Sequence, residues 1–257
     1  MRHAVITAGS KGLGKKVTEA FLNDGYSVTV TYFSDEQAIK ERKEEWKDYL
    51  DRVLFVKGDI CDKQFINEIV SKTMEKFGRV DCLINNAGPY LFNRKKLADY
   101  TDEEWEYLLY GNLHSVFYLL KQIIPIMRKQ KYGRIINYGF QGANSASGWI
   151  YRSAFSAAKV GLVSLTKTIA YEEAENGITS NMICPGDIFG DMKEANQSEA
   201  SKDGKGLAPI GRSGTGEDIA RMVQFLCKEE SDFITGDIFE VTGGLDVINK
   251  YRHIPLS

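Results

Sequence analysis

Seven short apolar runs separated by longer stretches of helical spacing restrict this chain to very few folds. The runs cover residues 3–7, 27–32, 53–56, 80–85, 134–137, 179–184 and 238–241. They have strand length and are rich in Val and Ile, whereas the segments between them repeat apolar residues at i, i+3 and i+4. Strands that alternate with helices form a parallel sheet, because each crossover must carry a helix back over one face. The expectation is a single doubly wound α/β domain over residues 1–257, with a seven-stranded, mostly parallel sheet and helices on both faces. At 257 residues the chain can bury one large core without splitting into two. Thr101-Asp102-Glu103-Glu104 has the form of a capping box, and Gly25 and Gly177 fall just beyond helical runs, where a left-handed cap belongs. Residues 191–216 are polar and glycine-rich and read as a long excursion over the ligand crevice; residues 249–257 read as a tail without an assigned role.

Charge excludes some partners. With 33 basic against 35 acidic residues the net charge is −2, which leaves no electrostatic footprint for nucleic acid or an anionic membrane. A small neutral or anionic ligand fits better. Cys61, Cys82, Cys184 and Cys227 are dispersed and form no Cys-x-x-Cys, so they read as reduced thiols of a cytoplasmic protein. The three histidines show no metal-ligand spacing, and no metal is expected. The first seven residues are a strand pattern rather than a signal peptide, and no apolar run approaches the roughly 20 residues of a membrane helix.

Directly after the first strand comes Thr7-Ala8-Gly9-Ser10-Lys11-Gly12-Leu13-Gly14, and a helical pattern follows at once. Strand, glycine loop and helix start in this order let a pyrophosphate rest on helix amino-terminal N–H groups. Alone, three glycines also describe an ordinary tight turn. Further along lie Asp59, Asn85-Asn86-Ala87-Gly88, Asn112, Lys159, Pro185-Gly186, Gly211-Arg212, Ile234-Thr235-Gly236 and Gly243-Gly244. This ordered set resembles the short-chain dehydrogenase/reductase family over nearly the whole chain, nearest its 3-oxoacyl-acyl-carrier-protein reductase-like branch. The resemblance implies a Rossmann-type domain and a nicotinamide cofactor.

Residue by residue, the resemblance implies that Gly9, Ser10, Gly12, Leu13 and Gly14 hold the pyrophosphate, and that Asp59 with Ile60 meets the adenine. It implies Asn86, Ala87 and Gly88 as the ribose wall, and Pro185, Gly186 and Ile188 beside the nicotinamide. Family members that use NAD place a carboxylate at the end of the second strand, where this chain has Tyr32. Lys11 and Ser34 can instead meet a 2′-phosphate, a charge-assisted contact worth about 1.5–3 kcal/mol, so NADPH is expected in preference to NADH. A solvated surface role for Lys11 is the alternative.

The catalytic set is damaged. The family relay uses serine, tyrosine, lysine and asparagine, and here Asn112 and Lys159 match the last two. Phe155 stands four residues before Lys159, where the proton-donating tyrosine belongs, and Phe140 falls on the serine position. A phenol has a proton to give and a benzyl group has none. Gly111 before Asn112 costs roughly 1 kcal/mol against alanine in mid-helix, which makes sense if the helix kinks there. Three readings follow. In one, Tyr151 replaces the acid from i−4 to Phe155 and i−8 to Lys159 on an extended helix. In another, Tyr90 or Tyr138 reaches the substrate. In the third, the chain binds NADPH without useful turnover, as a regulatory or partner-binding protein.

Tyr90, Phe140, Trp149 and Phe155 would line an aromatic pocket suited to a ketone or enone on an apolar body, or to an acyl thioester. For docking of an acyl carrier protein, Arg128, Lys129 and Lys131 offer a basic side, whereas Glu172-Glu173-Ala174-Glu175 opposes it. The helices near residues 101–130 and 152–176 resemble those that pair in dimeric and tetrameric family members, so a homodimer or homotetramer is expected.

Overall fold

The computed structural model describes residues 1–200 and 208–245; the tail at 249–257 and part of the excursion lie outside them. Strands β1 (His3–Ile6), β2 (Ser27–Tyr32), β3 (Val53–Lys57), β4 (Cys82–Asn85), β5 (Gly133–Tyr138), β6 (Ile178–Pro185) and β7 (Ile238–Val241) form one sheet in the order β3-β2-β1-β4-β5-β6-β7. Every pairing is parallel, so the sheet is wholly rather than mostly parallel. Strand order reverses direction between β1 and β4, and a doubly wound sheet opens its ligand crevice at such a switch point.

Alternation within β1 shows why helices must cover both faces. Val5 faces the core formed with α3 (Lys63–Phe77), α5 (Ser115–Gln130) and α6 (Ser153–Glu173), through Ile69, Leu119, Ile123 and Leu162. Ala4 and Ile6 face the opposite core, which includes Val17 and Phe21 of α1 (Gly12–Asn23) and Ile219 and Val223 of α7 (Gly216–Leu226). Each large aliphatic side chain so buried contributes about 1.5–3 kcal/mol relative to exposure. The remaining helices, α2 (Glu36–Glu45) and α4 (Asp102–Leu109), follow β2 and precede α5.

Local signals hold where their chemistry is specific. Thr101 and Glu104 complete the capping box of α4, and Gly25 and Gly177 take φ of 82° and 70°. The cysteines are free, three of them buried and Cys61 partly exposed. Among the described residues no helix is long and apolar enough to cross a membrane.

Candidate active site

The loops after β1 and β4 are tied together at the switch point. The Ala87 N–H donates to Thr7 Oγ1 at 2.8 Å, and Asn86 Nδ2 donates to the carbonyls of Thr7 and Ala8 at 3.0 and 3.2 Å. Gly14 makes this approach feasible: a Cβ there would collide with the Ala8 carbonyl and lie 2.7 Å from Asn86 Nδ2. The α1 amino terminus is thereby held beside Gly88, with Ser10 buried in the loop. This close-packed backbone fits a pyrophosphate lying on helix N–H groups.

On one side of the loops, Tyr32, Asp59, Ile60, Ala87 and Gly88 line a cavity of about 190 Å3, together with Tyr107. Its size and rim fit an adenosine. Ser34 is exposed and is not among its lining residues. Lys11 is not free to await a phosphate: it forms an ion pair with Asp35, which also caps α2 by accepting from the Ala38 N–H at 2.8 Å. Lys57 pairs with Glu36 at 2.6 Å. Two carboxylates thus stand near Tyr32, because Asp35 and Glu36 follow β2 after only Phe33 and Ser34.

On the other side, a crevice of about 320 Å3 gathers Asn112, Phe140, Trp149, Phe155 and Lys159 with Tyr90. Pro185 also lines it, whereas Gly186 and Ile188 line a neighbouring cavity of about 200 Å3. Asn112 sits in a π-helical segment, Tyr110–His114, between α4 and α5. The kink expected at Gly111 is this extra residue per turn. Glycine is needed because a Cβ would strike the Pro89 ring, 2.5 Å from Cγ. Asn112 Nδ2 donates to the carbonyls of Pro89 and Leu108 at 2.9 and 3.0 Å, and its Oδ1 is buried without a partner. The Tyr138 hydroxyl is likewise buried and unpaired, but its ring packs into the core on the α1 and α7 side with Ile183, Ile219 and Cys227, and burial pushes its pKa up. The orphaned Asn112 Oδ1 at the crevice fits a ligand that supplies its hydrogen bond.

Lys159 projects from α6, 4% exposed, without a hydrogen bond or ion pair among the described residues. Its Nζ lies 5.7 Å from the Phe155 ring centroid. Burial pulls its ammonium down to about 8, and the nearby Cys184 opposes this only in part. The aromatic wall is continuous: Phe140 meets Trp149 at 5.1 Å, Trp149 meets Phe155 at 5.8 Å and Phe155 meets Tyr90 edge-on at 5.2 Å.

Tyr151 does not share a helical face with these residues. Helix α6 begins at Ser153, and Tyr151 precedes it in a left-handed turn at φ 64°. A left-handed residue breaks the right-handed helical winding, so counting back by four along the helix fails there. Tyr151 is absent from the crevice lining, and its carbonyl accepts from the Tyr100 hydroxyl at 3.4 Å. Arg152 was not foreseen: its guanidinium lies 4.7 Å over the Tyr90 ring and donates to the carbonyls of Phe92 and Asn93. Lys193 and Glu194 were also missed. Lys193 lines the crevice, and Glu194 Oε1 accepts from the Gly12 N–H at 2.7 Å.

The basic and acidic sides weighed for a carrier protein meet at one bridge. Arg128 of α5 donates to Glu173 of α6 at 2.8 and 2.5 Å. Beside it, Phe117, Leu120, Ile124, Leu165 and Ile169 line an apolar groove.

Comparison with known proteins agrees with this architecture. Residues 7–246 match the family model described as enoyl-(acyl carrier protein) reductase. A Bacillus subtilis (strain 168) protein provisionally named oxidoreductase YtkK is 65% identical over 251 residues, covering 97% of this chain and 98% of its own. The 3-oxoacyl-[acyl-carrier-protein] reductase FabG of Escherichia coli (strain K12) is 34% identical, over 95% of this chain and 97% of its own. Among solved structures, a Bacillus thuringiensis protein provisionally described as a 3-oxoacyl-reductase superposes with a TM-score of 0.91 at 62% identity, covering 96% of this chain and 99% of its own. A tyrosine-to-phenylalanine variant of ElxO with NADPH bound superposes with a TM-score of 0.81 at 31% identity, over 94% and 97% of the two chains. With its wholly parallel doubly wound sheet, its glycine loop and the Asn112–Lys159 crevice, the chain belongs to the short-chain dehydrogenase/reductase family of oxidoreductases and is similar to its 3-oxoacyl reductases.

Proposed function

We propose that this protein is an NADPH-dependent reductase of ketones or enones with an apolar body, and that a residue other than the one at position 155 donates the proton. The observation that carries the reading is that one crevice holds Lys159, Asn112 and a phenol, Tyr90, against an apolar wall. A bound nicotinamide would supply the hydride. Gly9, Ser10, Gly12, Leu13 and Gly14 would hold its pyrophosphate, Asp59 and Ile60 its adenine, and Asn86, Ala87 and Gly88 its ribose wall, with Lys159 gripping the nicotinamide ribose. Phe140, Trp149 and Phe155 exclude water and favour a flat or aliphatic substrate over a sugar.

Tyr90 replaces Tyr151 as the leading donor. Its ring abuts the Phe155 edge inside the crevice, and Arg152 anchors it from behind. Proton transfer requires hydrogen-bond reach of the substrate oxygen, and of these two tyrosines only Tyr90 lines the crevice. A second reading is favoured by the two phenyl replacements: NADPH binding without turnover. The ElxO structure supports it, since a tyrosine-to-phenylalanine change there coexists with bound NADPH. We further infer that α5 and α6 mediate self-association through the groove beside Arg128–Glu173, a dimer or tetramer that sedimentation would test.

An NADPH-oxidation screen over ketones, quinones, enones and acyl thioesters tests the central proposal. Tyr90→Phe is expected to lower kcat by about 10²–10⁴ while leaving cofactor affinity near wild type. Silence of the wild type together with ketone reduction by Phe155→Tyr would establish the second reading instead.

A further inference from the structure

Residues 190–197 cross the glycine loop as an anchored strap. The Glu217 N–H of α7 donates to the Ala195 carbonyl at 3.3 Å, and the Gln197 N–H donates to Glu217 at 2.6 Å. Lys16 of α1 donates to Asn196 Oδ1 at 2.8 Å, and Arg221 of α7 to Gln197 Oε1 at 2.9 Å. Thus held, the strap sets two opposite charges over the first turn of α1. Glu194 accepts from the Gly12 N–H, and its other oxygen lies 3.2 Å from Lys15 and 3.6 Å from Arg42. Burial raises the affinity of that carboxyl for a proton, but the Gly12 N–H and the two cations outweigh it and keep Glu194 ionised below the usual carboxylate range. Lys193 passes within 3.9 Å of where a Gly12 side chain would begin, lines the crevice, and makes no ion pair among the described residues.

A carboxylate on a helix amino-terminal N–H uses the same hydrogen bond and the same dipole as a phosphate oxygen. Two anions cannot share it. We propose that Lys193 and Glu194 form a charge-exchange strap: Glu194 holds the glycine loop until a dinucleotide displaces it, and Lys193 then neutralises the pyrophosphate. The proposal rests on the dinucleotide reading above. It makes Glu194 a competitor built into the chain and Lys193 a cofactor-binding residue outside the glycine loop. The Ala195–Gln197 anchors on α1 and α7 keep the strap in place, so the exchange requires only that two adjacent side chains trade positions.

Fluorescence titration with NADPH and NADH tests this without a substrate. Glu194→Ala is expected to tighten the affinity for both nucleotides by about tenfold, the value of a lost competing charge-assisted hydrogen bond. Glu194→Gln, which keeps a neutral acceptor, should fall between Glu194→Ala and wild type, and Lys193→Met should weaken binding about threefold to fivefold. Melting temperatures within a degree or two of wild type would confirm that the fold is intact. Binding by the wild type with unchanged or weaker binding by both Glu194 variants would overturn the competitor role and leave the dinucleotide reading standing. Unchanged binding by Lys193→Met would overturn the exchange. Failure of wild type and every variant to bind either nucleotide would remove the dinucleotide reading, and the strap with it.

Discussion

Replacing Lys159 with methionine is expected to stabilise the protein at neutral pH, although it removes a residue of the candidate active site. Burial lowers the Lys159 ammonium from 10.5 to about 8. Since the folded value lies below the unfolded one, the unfolded chain holds this proton more tightly. Folding is therefore penalised by the full amount below about pH 8, and the penalty fades as pH rises toward 10.5. The gap corresponds to about 3 kcal/mol at pH 7, an order-of-magnitude value because the group is buried and its surroundings can relax. Methionine has similar length, carries no charge and leaves little cavity. Urea unfolding without added nucleotide, followed by tryptophan fluorescence, should show Lys159→Met more stable than wild type by about 2–3 kcal/mol at pH 7, with the advantage narrowing by about 2 kcal/mol at pH 9.5. Buried tyrosines are shared by both proteins and cancel in the difference, whereas Cys184 is coupled to Lys159, so the comparison is made in a Cys184→Ala background. An advantage that does not change with pH, or a less stable variant at pH 7, would refute the reasoning and mean that the ammonium is solvated or paired.

Gly14→Ala places a methyl group against the Ala8 carbonyl and Asn86, and is expected to cost about 1–3 kcal/mol in unfolding while abolishing nucleotide binding; unaltered binding would contradict the cradle. Asp35→Asn keeps a helix cap but frees Lys11, so NADPH affinity should rise relative to NADH in a competitive titration, and an unchanged ratio would remove Lys11 from cofactor choice. Arg128→Ala leaves the buried Glu173 carboxylate without its ion-pair partner and with only the Asn176 hydrogen bond. Arg128 depresses the Glu173 pKa, so its stabilisation is present above the unfolded carboxylate value and lost as pH falls through the folded one; thermal melts should show a deficit at pH 7 that shrinks below about pH 4.5.

The sheet is legible in the sequence because strands buried on both faces leave continuous apolar runs. The fourth run looks two residues longer than β4 because Val80 is apolar, yet Asp81 turns aside to accept from the His3 N–H at 2.7 Å and from Arg79. The nucleotide loops are equally legible, since glycines and short polar residues follow strand ends. Tyr151 misleads because Arg152 caps α6 without a side-chain hydrogen bond, so no local signal marks the helix start. Lys193 and Glu194 lie beyond sequence reasoning for another reason: Glu194 meets Gly12 across 182 residues, and no period or motif encodes that contact.

The aromatic wall of the crevice also constrains how the chain can change. A phenylalanine codon is one base from tyrosine and one base from serine, so the donor and serine that the proposed function takes to be replaced at Phe155 and Phe140 are each a single substitution away. Their structural consequences differ. Phe155 is partly exposed to the crevice, and a hydroxyl can be added there without emptying any space. Phe140 is 8% exposed and belongs to the core beneath α5 and α6, so trimming it to serine would open a cavity costing about 3–5 kcal/mol. Gaining a tyrosine is thus an inexpensive step, whereas gaining the serine demands that neighbours such as Trp149 shift into the space or that smaller neighbours grow. If the proposed function holds, position 140 acts as a ratchet: once filled by a ring, it keeps the site to chemistry that does without the serine.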